Sequence, residues 1–355
     1  MAPATSNLQT FPKLKRAAYF LLIFLSLSLG VRAQSRLRHR LDSIVRERHL
    51  RERADSLRFR MDSIIDQRNR KADFDSLYME RPPYDWLLRA RLNAYGGLIR
   101  TRNLISRSDL ESDMKTTISL GASYKGISLG LALNPAYLIG KYNDYELNLN
   151  SYNNRYGYDV AFQSSKTYRG TVENERGTFT LEKGSMKQKM LNMSAYYVFN
   201  YRRFSYPAAF SQSFIQRRSC GSFMMGLTFL GGYLYVPSGQ VGGNPSMRIT
   251  MGHLGLGAGY GYNIVTQKDW LFHLSTLPTL VMASRNRMKL DGERLTMSYR
   301  FPQVIVVGRG AIIRSFSNYF AGMTFVVNNS LVGNRNDLRL LYTKWQARMV
   351  FGVRL

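Results

Sequence analysis

The last thirteen residues, Thr343–Leu355, constrain the fold more than any other stretch of the chain. Their side chains alternate with a period of two, which is the period of a β-strand. The apolar face carries Trp345, Ala347, Met349, Phe351, Val353 and Leu355, and the other face carries Lys344, Gln346, Arg348, Val350, Gly352 and Arg354. An alternating strand that ends on an apolar residue is typical of the closing strand of a transmembrane β-barrel.

The N-terminus predicts export. Basic residues precede an apolar run over 17–29, and an A-x-A-like pattern ends at Ala33. These features predict a secretory signal peptide over residues 1–33, cleaved after Ala33. The alternative is an uncleaved anchor helix, which the short run disfavours because a spanning helix needs about 20 apolar residues.

The rest of the chain predicts strands, not helices, in a membrane. No other run of 18 apolar residues occurs in the 355-residue sequence, and mean hydropathy is −0.26. Since only helices and closed barrels satisfy their backbone groups within lipid, a membrane protein of this sequence has to cross with strands.

Charge and cysteine content restrict the partners. The net charge of +27 would suggest nucleic acid for a soluble protein. Because the chain is predicted to be exported, we expect no nucleic-acid partner. The expected anionic partner is the phosphate of lipopolysaccharide, together with the other lipids of the outer membrane. Cys220 is the only cysteine, which excludes an intramolecular disulfide and a cysteine-based metal site, and we expect no cofactor.

Residues 34–71 differ in composition from the remainder of the chain. From Ser35 to Lys71 there are twelve Lys or Arg and six Asp or Glu, without Gly or Pro. An apolar seam with heptad spacing runs through Leu50, Ala54, Leu57, Met61 and Ile64. The pattern predicts a charged periplasmic helix, either a coiled coil or docking helix that self-associates or binds an acidic partner, or a solvated linker.

From Trp86 onward the sequence has a period of two. Residues 72–85 form a connector in which Pro82 and Pro83 end the preceding helix. Residues 86–355 then predict an antiparallel outer-membrane β-barrel of about twelve strands, an even number as in bacterial barrels. The predicted strands are 86–95, 114–124, 127–138, 145–149, 156–162, 187–199, 219–236, 251–264, 270–281, 301–314, 319–328 and 338–355, with room for a small hairpin in 164–185.

The connections support this architecture. With both termini in the periplasm, mostly short turns alternate with mostly longer outer loops, as in outer-membrane barrels. Two connections depart from the rule: 139–142 is short for an outer loop, and 200–218 is long for a periplasmic turn. The alternative architecture is a soluble sandwich of twelve strands.

Two segments resemble a known family. One runs from Phe204 to Ser222 and reads FSYPAAFSQSFIQRRSCGS; the other, Gly255–Pro278, contains GYGYN and HLSTLP. Both are similar to a Bacteroidota family of uncharacterised function that is predicted to form outer-membrane barrels. The resemblance covers roughly 73–355. It implies the same fold, supplies no catalytic residues, and makes the long 200–218 connection an expected family feature.

Basic residues are expected to meet on the inner wall. In a closed barrel the first and last strands are neighbours, which brings Arg89 and Arg91 next to Lys344 and Arg348. Four cations at one seam need counter-ions, supplied either by acidic residues of the lumen or by an anionic ligand. The acidic residues are the favoured source.

Glu146 and Asp159 are the candidate acidic pair. They are predicted to face inward on adjacent strands, at similar distances from the Asn153–Asn154 turn. Two neighbouring carboxylates with separated pKa values could perform acid–base chemistry. Balancing of basic residues is the favoured interpretation, because a wet barrel interior is normally charged.

Other chemistry has little support in the sequence. His253 and His273 are expected to face inward without lying opposite each other, so no metal pair is expected. Ser275 lies two residues from His273 on the same face, and no G-x-S-x-G motif occurs. The favoured function is a non-enzymatic outer-membrane barrel with a basic lumen, either a narrow pore or a structural anchor. The alternative is an enzyme that modifies lipid or lipopolysaccharide.

Overall fold

A computed structural model of the protein describes residues 73–124, 127–133, 144–240, 243–296, 301–334 and 338–355, together with four helical positions, Ser56, Phe59, Arg60 and Ser63. The chain divides into two compact units, Met1–Ala72 and Asp73–Leu355. The predicted signal peptide, and the predicted helix over 34–71 apart from those four positions, lie outside the described residues.

Residues 73–355 are nearly all antiparallel β-structure. The strands before the single short helix of the described residues are β1 (Met79–Glu80), β2 (Trp86–Arg102), β3 (Ser106–Ser112), β4 (Lys115–Tyr124), β5 (Ile127–Leu133), β6 (Tyr145–Tyr152), β7 (Tyr156–Ser165), β8 (Tyr168–Asn174), β9 (Gly177–Leu181) and β10 (Lys187–Val198). The helix α1 (Tyr206–Phe210) is followed by β11 (Ile215–Gln216), β12 (Cys220–Val236), β13 (Met247–Val265), β14 (Trp270–Leu290), β15 (Glu293–Thr296), β16 (Val304–Ser315), β17 (Tyr319–Asn334) and β18 (Leu338–Arg354).

One large curled sheet contains all of these strands except β1 and β11, which pair with each other. Within the described residues, twelve strands follow one antiparallel path: β5, β4, β2, β18, β17, β16, β14, β13, β12, β10, β7 and β6. Each corresponds to a strand predicted from the sequence, and the predicted all-β barrel class is confirmed. The number of strands around a closed barrel stays a prediction, because residues 134–143, between β5 and β6, lie outside the described part.

The last strand lies beside the first, as predicted. β18 pairs with β2 along its length, and Trp86 and Leu355 exchange backbone hydrogen bonds of 3.0 and 2.9 Å. We call this end of the sheet the terminal end and the opposite end the far end. The connections at 266–269 and 316–318, both at the terminal end, are short, in agreement with the predicted periplasmic turns.

Much of what the sequence predicts as far-end loop is strand. β2 continues to Arg102, β14 to Leu290 and β17 to Asn334, and β3 and β15 lie within the predicted loops 96–113 and 282–300. The hairpin allowed in 164–185 is present as β8 and β9, and β8 pairs with β3. The prolongation of β14 carries Arg285, Arg287 and Lys289 on its outward face, so its period-two hydrophobic signal ends before the strand does.

The two faces of the sheet differ as predicted. On β18, Met349 and Phe351 point outward and are each 52% exposed, whereas Val350 and Arg354 point inward and are buried. No helix in the described part of the chain is long and apolar enough to cross a membrane.

The inward face holds two apolar clusters. The first, at the terminal end, includes the α1 residues with Leu271, Leu277 and Val307. The second, at the far end, includes Tyr168 and Leu181 from the β8–β9 hairpin with side chains of the surrounding strands. Buried polar residues occur between these clusters and also at both ends, as with Asn263 and His273 beside α1 and Ser165 beside the β8–β9 hairpin.

Candidate functional site

The long connection between β10 and β12 folds into the terminal end of the sheet and fills it. Ser205 is the N-cap of α1 and accepts a hydrogen bond from Ala208 N at 3.2 Å, while Pro207 lies in the first turn. Both choices favour helix initiation, because the cap satisfies a free N–H and proline has none to lose. All five residues of α1 are buried. We call residues 204–216 the plug.

Aromatic side chains attach the plug to the sheet. Tyr206 packs against Tyr196 and Phe210, with ring centroids 4.7 and 5.2 Å apart. Phe204 lies next to Gly261 of β13, where an added Cβ would come within 3.1 Å of the Phe204 ring. This is the close approach that a glycine-rich strand permits, and it joins the two segments that carry the family resemblance.

A chain of polar side chains lies between the plug and the wall. Asn263 Oδ1 is 2.7 Å from His273 Nδ1, and His273 Nε2 is 2.9 Å from Ser275 Oγ. Tyr206 OH is 2.7 Å from the same Ser275 Oγ. We call these four residues the relay. The sequence placed Ser275 and His273 on one strand face without predicting a contact, and packing beneath α1 brings the two side chains within hydrogen-bond distance.

The tautomer of His273 follows from its neighbours. Asn263 Nδ2 donates to Ser205 O at 2.9 Å and to Gln216 Oε1 at 3.0 Å, which leaves Asn263 Oδ1 as the acceptor for His273 Nδ1–H. His273 Nε2 therefore accepts from the Ser275 hydroxyl, and Ser275 accepts from Tyr206. This is the proton arrangement of a serine nucleophile with its general base and orienting group.

The relay is sealed in this conformation. All four of its residues are buried: His273, Ser275, Tyr206 and Asn263. The Tyr206 hydroxyl is hydrogen-bonded to Ser275 Oγ and so covers that oxygen. Gln216 continues the network, donating to the backbone oxygens of Tyr78, Arg203 and Arg218. As it stands, the network holds the plug against β13 and β14 through fully paired polar groups.

Arg309 forms the floor beneath the plug. Its Nη2 donates to Asp159 Oδ2 at 2.7 Å and to Ser194 Oγ at 3.0 Å. The guanidinium carbon lies 5.5 Å from the Tyr196 ring centroid and 6.0 Å from that of Tyr206. These distances allow cation–π attraction, so one buried cation connects a carboxylate to the plug.

The four predicted basic residues all face the interior but meet different partners. Lys344 Nζ contacts Glu146 Oε1 at 2.7 Å, and Arg89 Nη1 donates to Ser211 O next to the plug at 2.9 Å. Arg348 donates to Gln346 at 3.0 Å. Within the described part of the chain, neither Arg91 nor Arg348 has an ion pair. The positive charge of these four residues, where β2 meets β18, is therefore neutralised in part by acidic side chains.

Glu146 and Asp159 are not brought together. The register of β6 and β7 places Glu146 opposite Gln163, and Asp159 opposite Asn150. The two carboxylates thus lie four positions apart along the hairpin, and each binds its own cation. The acid–base interpretation of a carboxylate pair is wrong for this geometry, because like-charged acids must be adjacent to split their pKa values.

A small cavity with both polar and apolar lining residues remains between the two apolar clusters. Its volume is ≈ 60 Å³, and its lining includes Arg309, Arg348, Lys344 and Asn328. The Oγ atom of Ser330, which also lines it, is buried without a hydrogen-bond partner in the described structure. The cavity is large enough for a few waters, not for a substrate of lipid size.

His253 and His273 lie at separate places on the β13–β14 pair. His253 on β13 lies opposite Ser284 on β14, and its Nδ1 atom is 3.0 Å from Ser284 Oγ. His273 on β14 lies opposite Asn263, which is ten residues from His253 along β13. Among the residues that the structure describes, no group of three or more His, Cys, Asp or Glu is placed to hold a metal ion.

Sequence reasoning missed the plug, Arg309 and the role of Asn263. A signal for the plug was present: the 200–218 connection is too long for a turn and rich in aromatic residues. For Arg309 the signal was one cation on the inward face of an otherwise apolar strand. Asn263 carried no signal, because its role depends on the β13–β14 register.

Comparison with known proteins adds a family. A family model described as Domain of unknown function (DUF4421) matches residues 73–354. No curated protein matches the chain.

Solved structures that are similar to this chain have low identity to it. The outer membrane protease OmpT from Escherichia coli has 7% identity and a TM-score of 0.45, covering 77% of this chain and 97% of that chain. The translocator domain of autotransporter NalP from Neisseria meningitidis has 10% identity, coverage of 86% and 97%, and a TM-score of 0.30. The outer membrane protein OprG from Pseudomonas aeruginosa has 10% identity, coverage of 78% and 97%, and a TM-score of 0.26.

Proposed function

The chain belongs to the DUF4421 family, whose description names no activity, and we propose from its own structure that it is an outer-membrane β-barrel with a closed lumen. In this proposal the barrel anchors the protein in the outer membrane and does not conduct. Residues 1–33 direct export, and residues 34–71 lie in the periplasm. The Bacteroidota origin stays a prediction.

The outward face supports a membrane location. On β13 the outward positions from Ile264 to Leu254 are apolar and exposed. These ten steps correspond to ~34 Å along a strand at ~3.4 Å per residue, or ~25 Å in height at a tilt of ~45°. That height equals the apolar band of an outer-membrane barrel, about 25 Å.

Aromatic residues flank this band at the terminal end. Trp86 packs against Tyr124 with ring centroids 4.7 Å apart, and Phe316 stacks on Tyr319 at 4.4 Å. Trp270 lies at the start of β14, with the Arg314 guanidinium 5.3 Å from its ring centroid. Rings of this kind occupy the interface between lipid and water, which supports placing the terminal end at the periplasmic surface.

One observation carries the closed lumen. The six inward positions of β14 within the band are all buried, with exposures of 7% or less: Leu271, His273, Ser275, Leu277, Thr279 and Val281. The inward residues of a conducting barrel contact water along its length. A wall buried from the plug to the far-end cluster leaves no such path along β14, and this favours the anchor over the narrow pore.

Planar-bilayer recording of the full-length protein tests this proposal. We expect no steady conductance over many insertions. Stable channels from the unaltered protein would contradict the closed lumen, and a soluble location after cell fractionation would contradict the barrel itself.

The relay favours a second candidate function, a serine hydrolase acting on lipid or lipopolysaccharide. Ser275, His273 and Asn263 have the distances and the tautomer of a nucleophilic triad. Reaction would require the plug to leave, since Tyr206 covers the serine. A fluorophosphonate probe that labels the wild type but not Ser275→Ala would support the hydrolase; absence of labelling in membranes and in detergent would leave the relay as a support for the plug.

A further inference from the structure

The outward face carries a group of cations at the far end of β10, β13, β14 and β15. We call it the far-end basic patch. Its members all lie on the outward side of the sheet: Lys187, Lys189, Arg248, Arg285, Arg287, Lys289 and Arg294.

The strand register places these side chains in rows. Lys187 is opposite Tyr235, Tyr235 is opposite Arg248, Arg248 is opposite Lys289, and Lys289 is opposite Arg294. Residues directly opposite each other share a face with Cβ atoms about 5 Å apart, and like charges in this relation are destabilising. The sequence therefore places like charges, which repel one another, in one row of side chains that crosses five strands.

The neighbouring row repeats the pattern. Lys189 is opposite Tyr233, which is opposite Thr250, which is opposite Arg287. Arg285 follows in the next row, opposite Gly252. Seven cations thus share one outward surface, and the two tyrosines are the aromatic residues among them.

Within the described ranges, no acidic residue neutralises the patch, because none of its seven cations has an ion pair there. The guanidinium carbon of Arg248 lies 4.3 Å from the centroid of the Tyr233 ring. Glu293 is opposite Leu290 and so lies on the other face of the hairpin. Elsewhere at the far end, Arg100 and Arg107 contact Asp109 at 3.0 and 2.9 Å. The lack of counter-ions is therefore a property of this surface.

The patch begins where the apolar band ends. Leu254 is the last apolar outward residue of β13, and Gly252, opposite Arg285, is the next outward position. A two-residue step raises the chain by ~5 Å at a tilt of ~45°. At that height above the band, the side chains reach the level of lipid headgroups.

We propose that the far-end basic patch binds the phosphate groups of an anionic lipid of the outer leaflet, lipopolysaccharide in an outer membrane. Guanidinium groups bind phosphate oxygens in pairs, which relieves the repulsion within the rows. Tyr233 and Tyr235 offer rings to the headgroup. A lipid is favoured over free phosphate because the patch faces sideways and is continuous with the band that would hold the acyl chains. This inference rests on the proposed outer-membrane location.

Binding of defined lipids to the full-length protein in detergent tests the proposal. The probe is a bisphosphorylated lipid A, compared with the same lipid after removal of its phosphates, with native mass spectrometry as the readout. Wild type is expected to bind the phosphorylated lipid, with affinity that falls as salt rises. Each cation near an anionic surface contributes about a fivefold effect, so Arg248→Gln/Arg287→Gln/Lys289→Gln is expected to bind roughly a hundredfold more weakly.

A matched control removes three cations from the other side of the far end. The variant Arg100→Gln/Arg102→Gln/Arg107→Gln changes the net charge by the same amount as the patch variant, but its substitutions lie on the β2–β3 hairpin that carries Asp109. It is expected to bind the phosphorylated lipid as wild type does. Equal binding by the patch variant, equal binding of dephosphorylated lipid, or displacement of the lipid by an equal concentration of inorganic phosphate would each overturn the proposal. Heat-modifiable migration of all three proteins is scored separately, so that failure of the barrel location is distinguished from failure of the lipid site.

Discussion

Individual charges inside this sheet are held by specific partners. Lys344 and Glu146 are both about 95% buried and contact each other at 2.7 Å. The second oxygen of Glu146, Oε2, is buried without a hydrogen-bond partner in the described structure. Breaking a buried pair by removing one partner leaves an uncompensated charge and costs about 3–5 kcal/mol. The pair fixes β6 against β18 more than it adds net stability.

Lys344→Met is therefore expected to lower the free energy of unfolding by about 3 kcal/mol, measured by urea unfolding in lipid vesicles. The double variant Lys344→Met/Glu146→Leu is expected to recover most of the loss, because no charge is then left buried alone. If the double variant is no more stable than the single one, the contact between the two residues does not govern the stability of this region.

The relay depends on Asn263 more than on any other side chain. Asn263→Ala removes the partner of His273 Nδ1 and the side-chain donor to Ser205 O, whereas Gln216 Oε1 keeps its hydrogen bond from Ser205 N, and each buried unsatisfied group costs about 1–3 kcal/mol. We expect a loss of at least ~2 kcal/mol in the same unfolding measurement. Asn150→Ala, an exposed asparagine on β6, is the control and is expected to change little. Equal effects would show that the relay does not hold the plug.

At the scale of elements, the plug and the strands are stabilised in different ways. α1 has five residues, too few for an isolated helix to form, and it exists because its cap is satisfied and its side chains are buried. The strands instead satisfy their backbones with each other and present an apolar outer face. How well a strand tolerates a charged residue on its outer face therefore depends on the height of that residue in the membrane. The buried helix α1 tolerates no charged residue.

Phe325→Arg tests the outer face of β17. Phe325 is exposed on the outward side, opposite Ala347, and an arginine at mid-depth in lipid costs about 2–4 kcal/mol. We expect weaker assembly, seen as loss of the heat-modifiable band. Leu104→Arg, in the exposed turn between β2 and β3, is expected to assemble normally. Normal assembly of both variants would contradict the placement of the apolar band.

At the scale of the whole molecule, the sheet and the charged segment before it are separate units of the chain. The sheet carries its own core clusters at both ends. It therefore has the means to fold without the segment. The net charge of the segment, twelve positive against six negative residues from Ser35 to Lys71, favours an acidic partner and binding that weakens with salt.

Deleting Ser35–Lys71 is expected to leave a folded barrel and to remove only an association, either with a second copy or with an acidic periplasmic partner. Chemical crosslinking of intact and truncated protein in cells, together with heat-modifiable migration, measures both properties. A truncated protein that no longer folds would mean that the segment is part of the barrel fold, and the docking hypothesis would be wrong.

The sequence by itself determined the fold class, the twelve main strands and the two faces of the sheet. It could do so because alternate side chains of each strand face lipid and lumen. This gives the sequence of each strand a period of two, as in Thr343–Leu355. It also indicated that the 200–218 connection was unusual and that Lys344 and Glu146 both face inward. Each of these features is local, or follows from the neighbourhood of the first and last strands.

Only the tertiary structure decided which inward residues meet. Glu146 and Asp159 lie four positions apart because the turn between β6 and β7 sets the register of this hairpin, and the sequence alone did not fix the length of that turn. The contact of Ser275 with His273 depends on a plug packed from a distant segment, and Arg309 is joined to Asp159 across 150 residues. The far-end basic patch likewise exists only through the pairing of five strands, because a side chain's neighbours across a sheet are set by register and not by sequence distance.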